Sequence, residues 1–172
     1  LHSTSRRQRQ MCIRDRNQSK HEENVASVAG KMDNRVIAAY QQLGFKLVVD
    51  PSVNYSGYFD ARSRSITMKQ IDDSVYHELG HFLAFIAGNA DKTASFQSIF
   101  AAEKANVTAF NKAYVTQNAS EYFAESVKDY ILNNASLKSS RPQTYAAVQN
   151  ALNQITDAQI AKIQKIYGAF WN

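Results

Sequence analysis

The segment VYHELGHFLAF, residues 75–85, constrains the fold more than any other part of the chain. The apolar side chains that would bury a helix built from this region are Leu79, Phe82, Leu83 and Ile86. His77 and His81 are four residues apart. Because positions i and i+4 lie on one face of a helix, the segment predicts a buried central helix that carries two imidazoles side by side.

The two histidines and the glutamate after the first match the spacing of a catalytic metal site. Two imidazole nitrogens on one helix face can bind a single cation, and Glu78 is rotated by about 100° from His77. Glu78 can therefore stand beside the metal without binding it, where a general base for a metal-bound water belongs. The alternative is an ordinary helix that happens to contain two histidines.

Gly80 lies inside this predicted helix, between the two histidines. A glycine in a helix interior costs about 1 kcal/mol relative to alanine. We interpret the glycine as a sign that another part of the chain packs against the helix backbone at this point.

A third ligand is needed, because catalytic zinc has three protein ligands and one open position. The remaining histidine after residue 18 is His21, which we place at the solvated start of a first helix. The third ligand should then be a carboxylate from another helix. The segment NASEYFAESVKDY, residues 118–130, carries Glu121 and Glu125 at i and i+4. A buried helix face does not hold two carboxylates without a partner, and a metal ion with its histidines supplies one.

Spacing alone does not decide between the two glutamates. In the alternative arrangement both lie on the surface, with Glu125 paired to Lys128 at i+3. That arrangement would leave the metal short of a ligand.

The rest of the chain predicts a small sheet and several helices. Residues 20–43 have helical periodicity and end at Gly44. Short strands are predicted at residues 45–50 and on both sides of a turn near residues 60–63, with Tyr58 and Phe59 on one strand of that pair and Ile66 and Met68 on the other. Helices are predicted at residues 72–87, 93–105, 106–116, 119–134, 142–153 and 157–168. The fold class is α+β, with a small β-sheet packed beside a predominantly helical body and the His-Glu-x-x-His motif on a central helix.

Helix ends have their own signals in this sequence. Candidate N-caps are Asp72 or Asp73, Thr93, Asn118 or Ser120, and Asp157. Pro142 stands where the first turn of a helix tolerates proline.

The positive charge is concentrated at the start of the chain. Residues 1–16 contain five arginines and one aspartate and so carry +4 of the formal net charge of +5. We interpret residues 1–18 as a disordered or artefactual leader and residues 19–172 as one domain, which carries the candidate zinc site. The nearly neutral remainder gives no long-range attraction to nucleic acid. A rival reading, a nucleic-acid binder, would depend on the leader alone.

Cysteine content and hydropathy exclude further classes. The single cysteine, Cys12, lies in the leader, so residues 19–172 offer no disulfide framework and no thiol nucleophile. No run of eighteen apolar residues is present, so we expect no membrane span. A signal peptide is not visible in this chain.

The pattern His-Glu-x-x-His followed forty residues later by Glu-Tyr-Phe-Ala resembles the glutamate-zinc metallopeptidases. More narrowly, NASEYFAES and RPQTYAAVQNAL are similar to segments of the anthrax lethal factor catalytic domain and of the secreted Pro-Pro endopeptidases of clostridia and related bacteria. The resemblance is strongest over residues 71–150.

This resemblance implies roles for individual residues. Glu121 would join His77 and His81 as the third ligand of one Zn²⁺ ion, and Glu125 would orient a ligand from outside the coordination shell. Tyr114, seven residues before Glu121, would line the reaction centre. Without the resemblance Tyr114 would be interpreted as a packing residue.

The function implied is that of a zinc-dependent endopeptidase acting on extended protein segments, with proline-rich segments among the candidates. Glu78 would assist the attack of a zinc-bound water and Tyr114 would stabilise the oxyanion. The strand SGYFD or RSITM could pair with the substrate backbone. We expect a secreted monomer that binds no nucleic acid. The alternative from another class is a zinc-stabilised but inactive protein-binding module.

Overall fold

The computed structural model describes residues 19–171, so the predictions for residues 1–18 lie outside the described residues. The strands are β1 (His21–Glu23), β2 (Lys46–Val49), β3 (Gly57–Asp60) and β4 (Ser65–Met68). The helices are α1 (Val25–Val28), α2 (Asn34–Gln42), α3 (Ser74–Ile86), α4 (Ala94–Glu103), α5 (Lys112–Val115), α6 (Ala119–Leu132), α7 (Asn134–Ser140), α8 (Pro142–Asn153) and α9 (Asp157–Trp171). Single 3-10 turns lie at Ala90–Lys92 and Lys104–Asn106. Between residues 19 and 171, no helix combines the length and hydropathy needed to cross a bilayer.

The four strands form one sheet in the order β1-β2-β4-β3. Strands β2 and β4 are parallel, and the two outer pairs are antiparallel. Leu47 and Ile66 are opposite each other on β2 and β4, and both are buried. The sheet therefore turns an apolar face towards the helices, as the predicted α+β class requires. Strands β1 and β3 form its two edges.

Helix α3, which carries the His-Glu-x-x-His motif, is the central helix of the fold. Eleven of its thirteen residues are buried. Its aromatic side chains contact those of α2 and the sheet: the Phe82 ring lies 5.0 Å from that of Tyr40 and 4.9 Å from that of Phe45. The prediction of a buried central helix is confirmed.

Helices α3 and α6 cross in direct backbone contact at Gly80. A Cβ atom at position 80 would lie 2.6 Å from the carbonyl oxygen of Ala124 and 2.7 Å from its Cα. Any side chain larger than hydrogen would push the two helices apart. The interpretation of Gly80 as a packing position is therefore confirmed, and its partner is the backbone of α6.

Helix α6 is held on its other side by the start of α8. Arg141 is buried, and its guanidinium donates hydrogen bonds to Ser126 Oγ at 3.1 Å and to Asp129 Oδ2 at 2.5 Å. The hydroxyls of Tyr122 and Thr144 are hydrogen-bonded at 2.6 Å. Contacts on both sides fix the position and rotation of α6.

The prediction of one helix over residues 20–43 is wrong. His21 lies on β1, where it is opposite Val49, and is not at a helix start. The side chains of Asn24 and Asp33 accept hydrogen bonds from Ala26 N and Arg35 N, so each starts a separate helix. Gly44 does end α2, with a φ of 78°. Pairing with β2 and two local caps thus outweigh the helical periodicity.

The predicted helix at residues 106–116 is also largely wrong, since only Lys112–Val115 is helical. Val107 is extended, with φ −67° and ψ 131°, because its side chain turns into the core. Helix α7 was not predicted. The hairpin formed by β3 and β4 and the helix at 142–153 are confirmed.

The cap predictions at Thr93 and Asn118 are confirmed, since each side chain accepts a backbone hydrogen bond from the first turn of its helix. At α3, the Asp72 side chain accepts from Ser74 N. At α9, the side chain of Thr156 rather than Asp157 accepts from Gln159 N.

We predict that Gly80→Ala lowers the free energy of unfolding by about 1–3 kcal/mol, because the added methyl group collides with the α6 backbone. Helix propensity alone predicts the opposite sign, a gain of about 1 kcal/mol. Urea denaturation followed by circular dichroism measures the difference.

Gly168→Ala in α9 is the matched control. A Cβ atom there meets only the Gln164 side-chain nitrogen at 3.2 Å, and that flexible side chain can move. The control should be neutral or stabilising. Equal effects of the two substitutions would contradict the packing role of Gly80.

Candidate metal centre

Helices α3 and α6 bring three potential ligand atoms together. Single atoms of His77, His81 and Glu121 all lie within 4.8 Å of one another. Glu121 Oε2 is 2.9 Å from His77 Nε2 and 3.5 Å from His81 Nε2. Two ligand atoms of a tetrahedral zinc site lie about 3.4 Å apart. The cluster could therefore bind a metal ion, with a fourth position left for water or substrate.

The start of α6 places Glu121 in the cluster. The side chain of Asn118 accepts a hydrogen bond from Glu121 N at 2.8 Å and so begins the helix. Glu121 consequently lies in the first turn of α6, where the helix dipole favours a carboxylate.

Glu125 contacts the other nitrogen of the same histidine. His77 Nδ1 donates a hydrogen bond to Glu125 Oε2 at 2.7 Å, and both side chains are buried. Glu125 Oε1 lies 3.8 Å from Lys128 Nζ, so the alternative pairing exists as a looser second contact. The short hydrogen bond holds the imidazole with Nε2 facing Glu121.

The charges in the cluster depend on one another. Burial would lower the pKa of His77, but hydrogen bonds to Glu121 and Glu125 raise that pKa to about 9. Burial would raise the pKa of Glu121, but hydrogen bonds from His77 and His81 hold it well below its ordinary value. Glu125 follows the same pattern: burial is outweighed by the hydrogen bond from His77, and its pKa is lowered. Both carboxylates are therefore ionised at neutral pH and can balance the charge of a cation.

Glu78 lies against strand β3, and only 6% of it is exposed. A Cβ atom at Gly57 would be 2.8 Å from Glu78 Cγ and 3.0 Å from its Oε1. The strand can approach the carboxylate this closely because residue 57 has no side chain. Burial raises the pKa of Glu78, whereas hydrogen bonds from the histidines lower the pKa of Glu121 and of Glu125.

Gly57 is a residue of the site that the sequence analysis missed. Its signal was a glycine at the start of a strand pattern, which often marks close approach of another group.

Tyr114 on α5 lies on the rim of the site, and 54% of it is exposed. Partial burial raises the pKa of its hydroxyl, and the nearby charges of Glu121 and Glu78 raise it further. The tyrosine therefore stays protonated at neutral pH and can donate a hydrogen bond.

Two hollows meet at the cluster. One, of about 380 Å³, is lined by Tyr55, Ser56, Gly57, Ser74, His77, Glu78, Asn111, Tyr114, Glu125 and Lys128. The other, of about 170 Å³, is lined by Gly57, Tyr58, Phe59, Glu78, His81, Tyr114 and Glu121. A larger hollow of about 470 Å³, between α4 and α8, contacts none of the three potential ligands. The two joined hollows give room for a chain that passes on both sides of the cluster.

The structure thus gathers every residue that the sequence analysis assigned to a site. These residues are His77, Glu78, His81, Tyr114, Glu121 and Glu125. His21 stays outside, as expected, with its ring hydrogen-bonded to Ser19 O and Glu23 Oε1.

Comparisons with known proteins agree with this arrangement. The family model described as anthrax toxin lethal factor, N- and C-terminal domain, matches residues 61–151, just over half of the chain. A curated protein named Pro-Pro endopeptidase, from Clostridioides difficile (strain 630), is 41% identical over 78 residues, which is 43% of this chain and 34% of that protein. The chain therefore covers about a third of this relative's length. The resemblance drawn from residues 71–150 is confirmed.

We predict that Glu121→Gln loses much more bound metal than Glu125→Gln. The first change removes a ligand atom, whereas the second weakens the hold on a histidine, which typically costs about 10- to 100-fold in affinity. Metal content after dialysis against Zn²⁺, measured by atomic absorption, compares the two variants. The reverse order would indicate that Glu125, rather than Glu121, is the third ligand.

We also predict a pH-dependent affinity for Zn²⁺. A proton on His77 Nε2 must leave before that nitrogen can bind a cation, and the pKa of about 9 keeps it in place at neutral pH. Affinity of the metal-stripped protein should therefore rise with pH, by about tenfold per unit between about pH 7 and 9, and then level off. Competition with a chromogenic chelator measures it.

Glu125→Gln is the control for the pH dependence. It removes one of the three carboxylates that raise the pKa of His77, so the levelling off should move to lower pH. An affinity that does not change over this range would contradict the prediction.

Proposed function

Because the chain belongs to the family of the anthrax toxin lethal factor N- and C-terminal domain, we propose that it is a zinc-dependent endopeptidase that hydrolyses peptide bonds in extended protein segments. The observation that carries the proposal is the convergence of His77, His81 and Glu121 beside the buried Glu78. Two helices hold these groups, and two hollows lead to them.

The donor set supports zinc as the metal. Two imidazole nitrogens and one carboxylate oxygen with an open fourth position are typical of catalytic zinc, whereas magnesium and calcium prefer oxygen ligands. When bound there, zinc supplies a Lewis acid that polarises a carbonyl group and lowers the pKa of water to about 7. Glu125 keeps a proton of His77 on Nδ1, so Nε2 is the nitrogen that serves as a ligand once it has lost its own proton.

Glu78 is proposed as the general base and acid. Its carboxylate takes the proton that the attacking water loses and then passes a proton to the leaving amine. A raised pKa suits this role, because a base whose pKa approaches the working pH both accepts and returns a proton efficiently. Gly57 keeps β3 close to this carboxylate and so limits its movement.

Tyr114 is proposed to stabilise the oxyanion. Its hydroxyl stays protonated and lies near Glu121 and Glu78, so it can donate a hydrogen bond to the carbonyl oxygen as negative charge develops there. Its position on the rim lets it approach when a substrate chain occupies the two hollows.

The proposed substrate is an extended, proline-rich segment. Strand β3 is the edge strand on the side of the metal cluster, so a peptide can add to its free edge. The exposed rings of Tyr55 and Tyr58 lie 5.9 Å apart on this side, and aromatic surfaces suit proline-rich chains. The relative named Pro-Pro endopeptidase supports the same preference. A secreted monomer fits this activity.

We predict that the protein cleaves members of a mixed peptide library and that Glu78→Gln and Tyr114→Phe reduce turnover without loss of zinc. Removal of a general base typically costs about 10²- to 10⁴-fold, and removal of an oxyanion donor about 10²- to 10³-fold. Mass spectrometry of the library, with and without chelator, shows activity, metal dependence and bond preference together.

Zinc content is the control in each variant. Near-wild-type turnover in Tyr114→Phe would indicate that Tyr114 only packs at the rim and takes no part in catalysis. Bound zinc with no cleavage of any peptide by the wild-type protein would favour the inactive binding module instead.

A further inference from the structure

Lys128 is the one lysine or arginine among the described residues that line the two hollows. It lies on α6, on the same helix face as Glu121 and Glu125, and 28% of its side chain is exposed. The sequence analysis gave it no role beyond pairing with Glu125. Its contact with that glutamate is loose, because 3.8 Å exceeds hydrogen-bonding distance.

The ammonium group of Lys128 can therefore donate to a ligand in the 380 Å³ hollow beside the metal cluster. An ammonium has three donors, and Glu125 already accepts a hydrogen bond from His77 through its other oxygen. Asn111, with an amide donor, lines the same hollow. Besides Lys128 and the histidines, the charged groups that line this hollow are Glu78 and Glu125; Asp72 lies close enough for Lys128 to lower its pKa.

Chemistry points to a carboxylate as the occupant. A partly buried ammonium forms its strongest contacts with an anionic oxygen. Lys128 and Asn111 line the same hollow and can both donate hydrogen bonds to such a carboxylate. A cationic group would instead be repelled by Lys128.

Contacts around Glu125 limit the distance of this position from the metal cluster. Lys128 Nζ is 3.8 Å from Glu125 Oε1, and the other oxygen of that carboxylate is 2.7 Å from His77 Nδ1. An extended peptide advances about 3.3 Å per residue, so the ammonium lies within a few residues of a peptide bond held at the cluster.

The orientation of β3 sets the direction. The 380 Å³ hollow is lined by residues 55–57 at the start of β3, and the 170 Å³ hollow by residues 57–59 further along the strand. An antiparallel peptide, the more stable kind of partner, would place its C-terminal half beside the start of the strand. The 380 Å³ hollow then receives the residues that follow the cleaved bond.

We propose that Lys128 forms a subsite for a substrate carboxylate, an Asp or Glu side chain or the chain terminus, among the first few residues after the cleaved bond. This inference rests on the proposed function, since it places the subsite relative to a cleaved peptide bond. Lys128 is a specificity-determining residue in this proposal and takes no part in the chemical step.

The test uses pairs of proline-rich peptides that differ only in Asp against Asn, scanned through each position. For the wild-type protein, kcat/KM should be about fivefold or more higher for Asp than for Asn at one of the first few positions after the cut. In Lys128→Gln the ratio of these two kcat/KM values should fall to about one. Lys162→Gln, the same change on the exposed face of α9, should retain the preference.

Binding of the same peptides to the zinc-loaded Glu78→Gln protein, measured by fluorescence anisotropy, separates the two proposals. Lys128-dependent binding of the Asp peptides without cleavage by the wild-type protein would overturn the proposed function but support the subsite. An absent preference, a preference that persists in Lys128→Gln, or one that occurs only before the cut would overturn the subsite. So would an equal loss of zinc and of turnover on Asp and Asn peptides, because Lys128 would then act by positioning Glu125.

Discussion

The close approach of Gly80 to the backbone of Ala124 is the contact on which the rest of the site depends. Helix α3 holds the two histidines, one turn apart around this glycine, and α6 holds the two glutamates around this alanine. With the backbones in contact, a carboxylate of α6 reaches an imidazole nitrogen of α3 at 2.7–2.9 Å. A methyl group at position 80 would separate the helices by a distance that such hydrogen bonds do not tolerate.

The electrostatics follow from this packing. The two helices place Glu121 and Glu125 next to imidazoles, whose hydrogen bonds lower the pKa of both carboxyl groups. Glu78 faces strand β3 instead, where burial raises its pKa. One buried space therefore contains carboxylates suited to hold a positive charge and one suited to move a proton, and this separation of pKa values is a property of acid–base sites.

Much of the fold could be predicted from local patterns, and the misses have physical causes. The helix at 74–86 and the hairpin formed by β3 and β4 have strong periodicity and clear ends. The first predicted helix failed because residues 21–23 find a strand partner in β2, far along the chain, and because Asn24 and Asp33 start two separate helices. Gly57 was missed because its role is to let β3 approach the side chain of Glu78, and no local sequence pattern reveals that contact.

The sequence by itself determined which chemical groups are available and how they repeat along each helix: two imidazoles at i and i+4, a glutamate between them, and two further carboxylates at i and i+4. Those spacings are properties of one helix at a time, so they could not choose between Glu121 and Glu125. The tertiary structure brings Glu121 to both histidines, because the crossing at Ala124 and the contacts of Arg141 set the rotation of α6. That rotation directs Glu121 to Nε2 of both histidines and Glu125 to Nδ1 of His77.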